Sequence, residues 1–461
     1  MLGAQGEALE REPASFRDPD SRVFYSAGGE VLRELSPQGA ADWEALAATR
    51  FFRHGVEAGR IVATEPISPT RLRHERVPFV SYPYEWPFEM LRDGALLQLE
   101  LVDGALAEGL VTKDASPYNV QWRGASPVFV DVGSFERLRE GEPWAGYRQF
   151  CMLFLYPLLL QAYKGLAYQP LLRGSLEGIT AAQCRSLMSL RDVLRRGVFA
   201  HVVLHARLEA RYGDRRRNVG VELRRAGFRA DLIRANVRRL RRLVHSLARR
   251  RGPSHWSSYR ETSPYSAADE QLKERFVLES AGRRRWSLVW DLGCNDGRYS
   301  RAVAPEADLV VAIDEDEQVV GELYTALRRE GRRSILPLTV DLADASPALG
   351  WRGLERRPLA ERGRPELTLC LALVHHLAIG RNIPVMELVD WLRELDTTLV
   401  IEFADRDDPM VQQLLAAKRP ETHADYGRVH FERCLAEAFA IERSTQLPSG
   451  TRVLYLARPR T

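Results

Sequence analysis

The chain has 461 residues, 45% of them hydrophobic and 28% charged, with 66 basic against 62 acidic side chains and a formal net charge of +4. That length exceeds one ordinary core and predicts two or three units, and with charge so nearly balanced, net charge by itself does not predict nucleic-acid binding. Five cysteines, Cys151, Cys184, Cys294, Cys370 and Cys434, include no C-x-x-C pair, which argues against a disulfide framework or a zinc site and points to a reducing cytosol.

The opening MLGAQGEALEREP lacks the basic start and apolar stretch of a secretory signal, so a cytoplasmic location is expected. Val23 to Tyr25 and Val31 to Leu35 read as short strands around a turn at Gly28 and Gly29. Val77 to Trp86 reads as a further strand and Phe88 to Gly109 as a long helix. The following stretch, LVTKDASPYNVQWRGASPVFVDVGSF, sets Asp114 and Asn119 five apart and leads through an apolar strand to Asp131 of a D-x-G turn. The run Phe150 to Leu160, interrupted by Pro157, falls short of the roughly 20 residues that cross a bilayer. It reads as a buried helix, and no transmembrane segment is expected.

The D-x-x-x-x-N and later D-x-G resemble the catalytic loop and metal-binding turn of protein kinases. The resemblance implies that Asp114 orients a hydroxyl as base while Asn119 and Asp131 hold the magnesium of Mg-ATP. The sequence departs from that pattern in several places. No glycine-rich loop has the kinase spacing, no apolar strand carries an obvious phosphate-pairing lysine, and Thr112 and Lys113 replace the histidine and arginine before the first acid. Residues 1–180 are therefore read as a degenerate, kinase-like α+β domain. A working phosphotransferase, or a polar loop whose Asp and Asn satisfy backbone donors, are the alternatives.

Between Arg215 and Arg251 stand 14 arginines and two acids, Glu222 and Asp231, with Leu232, Val237, Leu240, Val244 and Leu247 at helical spacing. A basic amphipathic helix within a linker region, 181–253, is the expectation. It offers a contact for nucleic acid or another phosphate-rich partner, or simply a solvated face on a helix packed between domains, the reading preferred here. Gly252 to Ser254 marks a break.

Residues 254–461 read differently. LVWDLGCNDGRYS, Leu288 to Ser300, is an apolar strand running into Asp291 and a turn of small residues, Gly293, Asn295 and Gly297, in which Asn295 takes a slot often held by glycine. A helical run and a second apolar strand, Leu309 to Ile313, lead to Asp314, placed to accept both ribose hydroxyls. Ile335 to Val340 ends at Asp341, placed to face an adenine amino group. Leu367 to Val374 reads as a long strand stopping at His375 and His376, Leu399 to Phe403 as a strand with Glu402 near its end, and Arg452 to Ala457 as the last strand. Helical patterns at Val385 to Leu395 and Pro409 to Lys418 alternate with them, which predicts a mostly parallel, doubly wound α/β sheet. A dinucleotide fits the strand-turn-helix-strand-acid order, but a carboxylate before the turn repels a pyrophosphate and suits an ammonium.

Over Trp256 to Arg458 these residues resemble the class I S-adenosylmethionine-dependent methyltransferases. The order of motifs from KDASPYN through DLGCNDG and LALVHHLAIGRNIP to IEFADRDDPMVQQLL resembles, nearly end to end, a bacterial family that includes nodulation-factor sugar methyltransferase relatives. The resemblance implies that Asp291, Gly293, Asn295, Gly297, Asp314 and Asp341 hold S-adenosyl-L-methionine, that Leu371 to Leu377 lines the substrate side, and that Trp256, Tyr259 and Tyr265 belong to a lid over the cofactor. It further implies O-methylation of a saccharide or other small hydroxyl acceptor. His375 or His376 would take the acceptor proton, oriented by Glu402; packing at the sheet edge is the competing reading for each. A kinase that also methylates a glycan end, and an RNA-binding methyltransferase docked through the arginine helix, remain alternatives.

Overall fold

The computed structural model describes residues 9–139, 141–212, 230–250, 265–419 and 421–460. The described residues form two compact units, one from those within 9–122, 127–250 and 348–356, the other from those within 123–126, 265–347 and 357–460. Described residues of the expected linker, 181–253, belong to the first unit up to 250.

In the first unit, strands β1 (Glu10–Arg11), β2 (Ser21–Tyr25), β3 (Val31–Leu35), β4 (Thr64–Ser68) and β5 (Arg71–His74) form an antiparallel sheet in the order β1-β2-β3-β5-β4. Val77 to Trp86 is not a strand; it contains only a short 3-10 turn, Pro83–Glu85. Pro78 and Pro83 within it and Pro87 behind it remove ladder donors, which defeats the β propensity of its aromatic residues. The helix Phe88–Ala107 buries one broad face, including Met90, Leu91, Leu97, Leu99, Leu101 and Val102, and leaves the opposite face partly exposed, as an amphipathic helix against a core does. Later in the chain come β6 (Leu110–Thr112), β7 (Val120–Arg123), β8 (Ser126–Phe129) and β9 (Phe135–Arg137), paired as β6 with β9 and β7 with β8; only the hairpin tip 123–126 counts with the second unit. The run from Phe150 lies within a continuous helical stretch, Tyr147–Lys164, and is buried from Phe150 to Gln161.

The described part of the arginine-rich region contains one helix, Ala230–Ser246. Its buried face is Ile233, Val237, Leu240, Leu243 and Val244, set against the helix Phe88–Ala107, while Leu232 points outward. Arg234 and Arg238 turn back to Asp103, at 2.9 and 3.4 Å.

The second unit is built on seven strands: β10 (Trp286–Leu292), β11 (Ala307–Asp314), β12 (Ile335–Thr339), β13 (Leu367–Cys370), β14 (Thr398–Ala404), β15 (Phe439–Gln446) and β16 (Arg452–Pro459). Their order is β12-β11-β10-β13-β14-β16-β15; the first five run parallel, β16 pairs antiparallel with β14, and β15 pairs antiparallel with β16. Because helices cover both faces, the central strands bury nearly every residue, which is why they read as continuous apolar runs. The chain winds outward from β10 through β11 to β12, then returns and winds the other way through β13 to β14. The carboxyl ends of β10 and β13 thus flank the reversal point where open α/β sheets bind ligands.

Strand β13 ends four residues before the expected Val374. Ala372 takes a left-handed φ of +52°, so the apolar run leaves the sheet at Leu371, and His375 and His376 open a helical turn instead of closing a strand. Among the described residues no helix is long and apolar enough to cross a membrane.

Candidate functional site

The turn after β10 is held by its own backbone. Gly293 and Gly297 have φ of +73° and +76°, and Asn295 takes +47°, a region that asparagine tolerates better than most side chains. The amides of Gly293 and Cys294 both donate to the carbonyl of Ile313 at 2.9 Å, which ties the turn to the end of β11. A Cβ on Gly297 would lie 2.6 Å from Leu323 Cδ1, so close packing as well as φ requires glycine here.

Asp314, at the end of β11, accepts the Asn295 amide on Oδ2 and the Asp316 amide on Oδ1, each at 2.9 Å. A carboxylate has about four acceptor sites, so one on each oxygen is left for adjacent hydroxyls. Burial pushes its carboxyl up to about 6, although the two amides pull the other way. Asp291, 2% exposed, accepts the Ser300 hydroxyl at 2.5 Å. Burial raises it to about 6 as well, with the negative charge of Asp314 adding to the effect. Asp341 accepts the Ala343 amide and pairs with Arg381 at 2.8 Å, and the same guanidinium reaches Glu315 at 2.6 Å.

Among the described residues the partners of Glu402 are two cations, a hydroxyl and a backbone amide, and neither histidine. Its Oε1 accepts the Tyr265 hydroxyl at 2.6 Å and lies 3.3 Å from Arg452; its Oε2 lies 2.6 Å from Lys273 Nζ and accepts the Ala372 amide at 3.0 Å. Two buried cations outcompete a neutral imidazole for a buried carboxylate. Arg452 also makes a fork to Asp408, Nε to Oδ2 at 2.7 Å and Nη2 to Oδ1 at 3.0 Å. Lys273 and Arg452 lie over the Tyr265 ring at 4.5 and 4.4 Å. Tyr265 is therefore a member of this buried charged cluster, while Trp256 and Tyr259 lie outside the described residues.

His375 is 1% exposed, and neither ring nitrogen has a hydrogen-bond partner among the described residues. Its ring lies 4.2 Å from that of His376. Burial holds His375 well below the usual imidazole range and His376 at about 4, with the cation of Arg452 reinforcing both. The two imidazoles are neutral at physiological pH.

In the first unit Asn119 Nδ2 donates to Asp114 Oδ1 at 2.7 Å. Asp131 Oδ1 is taken by Arg33 of β3 at 2.7 Å, and Arg33 also reaches Ser21 at 2.9 Å. Burial and the Asp131 charge push the Asp114 carboxyl up to about 7. Sequence reading missed Arg33, Lys273 and Arg452. A signal existed for one of them: the chain holds only four lysines among its 66 basic residues, and a compact ammonium is not interchangeable with guanidinium. Lys273 is among them.

No protein-family model matches the chain. The nodulation protein NoeA of Rhizobium meliloti (strain 1021) is 31% identical over 459 residues, which cover 96% of this chain and 95% of that protein. The chain belongs to the NoeA family. Among solved structures, the N-methyltransferase NodS of Bradyrhizobium japonicum WM9 aligns with 42% of the chain and 99% of its own length at 16% identity and a TM-score of 0.32. Magnesium protoporphyrin IX methyltransferase of Synechocystis PCC 6803, crystallised with SAH, aligns with 41% of the chain and 83% of its own length at 22% identity and a TM-score of 0.30.

Proposed function

We propose that this chain is an S-adenosylmethionine-dependent methyltransferase that acts on a hydroxyl of a saccharide or other small acceptor in the cytoplasm. The observation that carries the reading is the pair of turns at the reversal point of the sheet: the left-handed Gly293–Gly297 turn bound to Asp314, beside the left-handed turn at Ala372. Non-glycine residues held at positive φ are costly and gather at functional sites.

The donor set suits that nucleoside. Asp314 keeps an acceptor site on each oxygen for the ribose hydroxyls, Asp341 stands at the next strand end for the adenine, and Asp291 places negative charge beneath the glycine turn for an ammonium. When bound, the cofactor supplies an electrophilic methyl group. The protein's part is to seat the acceptor oxygen and take its proton. His375 and His376 are the candidate proton acceptors by their place beyond the end of β13; burial and the Arg452 cation keep both neutral at rest and also weaken them as bases. Glu402 acts as a positioning residue: through the Ala372 amide it fixes the turn that leads into both imidazoles.

We read the first unit as a kinase-like scaffold without phosphoryl transfer. The Arg33 guanidinium occupies an oxygen of Asp131 that a magnesium site would require. The arginine helix supports an RNA partner less well, because its apolar face and two of its arginines are engaged within the unit. Calorimetric titration with S-adenosylmethionine, and separately with Mg-ATP, tests both readings: saturable binding is expected of the first ligand and none of the second.

A further inference from the structure

One stretch of the first unit, Leu187 to Leu208, exposes more large apolar side chains than its length warrants. It carries Leu187, Leu190, Leu194, Phe199, Leu204 and Leu208, six of the fourteen exposed large hydrophobic residues found among the described residues. Leu190 and Leu194 are 82% and 91% exposed.

The loop that projects them is well anchored. Asp192, between the two leucines, is buried; it accepts the Ser189 amide and hydroxyl at 2.8 and 2.6 Å and binds Lys164 at 2.9 Å. Met188 and Val198 on either side point inward. The leucines are thus held outward by a built turn. Beyond it, Leu204 and Leu208 are four apart on the helix Leu204–Tyr212 and so share one face.

Charge decides what such a surface meets. Arg191, Arg195, Arg196 and Arg207 are interleaved with the apolar residues and are all exposed. The acids nearby are already engaged, Asp192 by Lys164 and Arg195, and Glu209 by Arg148 at 2.6 Å. Exposed leucines and a phenylalanine, interleaved along the chain with exposed arginines, match a bilayer interface: the apolar tips enter the acyl boundary while the guanidinium groups meet anionic headgroups.

We propose that Leu187 to Leu208 is a membrane-docking surface that seats this protein on an anionic lipid leaflet without spanning it. The proposal is independent of methyl transfer, because its test reads binding alone. The full chain is sedimented with vesicles of phosphatidylcholine, or of phosphatidylcholine with about one-third phosphatidylglycerol, at low and high salt. Retention on the anionic vesicles is expected. It should fall at least about tenfold in the triple variant Leu190→Ser, Leu194→Ser, Phe199→Ser, and lose its salt sensitivity in Arg191→Glu with Arg196→Glu. All five sites are exposed, so unchanged thermal unfolding of the variants establishes that the fold is intact. Failure to sediment with anionic vesicles would overturn the proposal, as would equal binding by the triple variant. Light scattering that showed a dimer abolished by the same three substitutions would assign the surface to a second copy of the chain and would likewise overturn it.

Discussion

Lys273→Met removes one cation from the buried cluster and leaves Glu402 in place. The side chains are 4% and 0% exposed and 2.6 Å apart, so the loss belongs to the class of broken buried pairs, which costs about 3–5 kcal/mol. Arg452, the Tyr265 hydroxyl and the Ala372 amide still face the carboxylate, which puts the expected cost at the lower end, about 3 kcal/mol. In hydrogen exchange of amides from β10, β13 and β14, a loss of about 3 kcal/mol appears as roughly 100-fold faster exchange. Arg298→Ala is the control. That arginine follows the glycine turn and pairs with Glu270 and Glu274 at 2.9 and 2.7 Å, but all three side chains are about 40% exposed, so it should cost at most about 1 kcal/mol. If Lys273→Met exchanged no faster than Arg298→Ala, the cluster would not brace the sheet, and its role in fixing the Ala372 turn would fall with it.

Two further outcomes follow from the glycine turn and the buried acids. Gly297→Ala forces a side chain into a left-handed φ and against Leu323; a loss of about 2–4 kcal/mol is expected in thermal unfolding, and a neutral result would contradict the described turn. Burial raises Asp291 from the ordinary 3.8 to about 6, so its contribution to stability is fully present below pH 3.8 and is lost as pH rises through about 6. That contribution is worth about 3 kcal/mol, and Asp291→Asn should flatten the pH dependence of stability across that interval; an unchanged slope counts against it.

Much of the second unit was legible because burial on both faces writes itself into sequence as apolar runs, as at Leu309 to Ile313 and Leu399 to Phe403. Strand β15 left no such trace: as an edge strand it exposes Ala440, Ile441 and Glu442 and reads as polar. The end of β13 was misplaced because Leu371 to Val374 is as apolar as the strand before it, and only the backbone angle at Ala372 separates them. In the first unit, β4 is largely exposed and contains Pro66, which hides it, while the aromatic run before Trp86 imitates a strand. The acids of the site could be located because they follow strands. Their partners could not, since Lys273, Glu402 and Arg452 meet only when a helix, a parallel strand and an antiparallel strand converge.

The reading of the second unit as a nucleoside-binding methyltransferase is tested most directly by calorimetric titration of the full chain with S-adenosylmethionine, beside Asp314→Asn checked for native circular dichroism. One saturable site is predicted, weakened at least about tenfold by the substitution, as loss of hydrogen bonds to the ribose requires. Absence of binding to the native protein, or an affinity indifferent to Asp314, would contradict it.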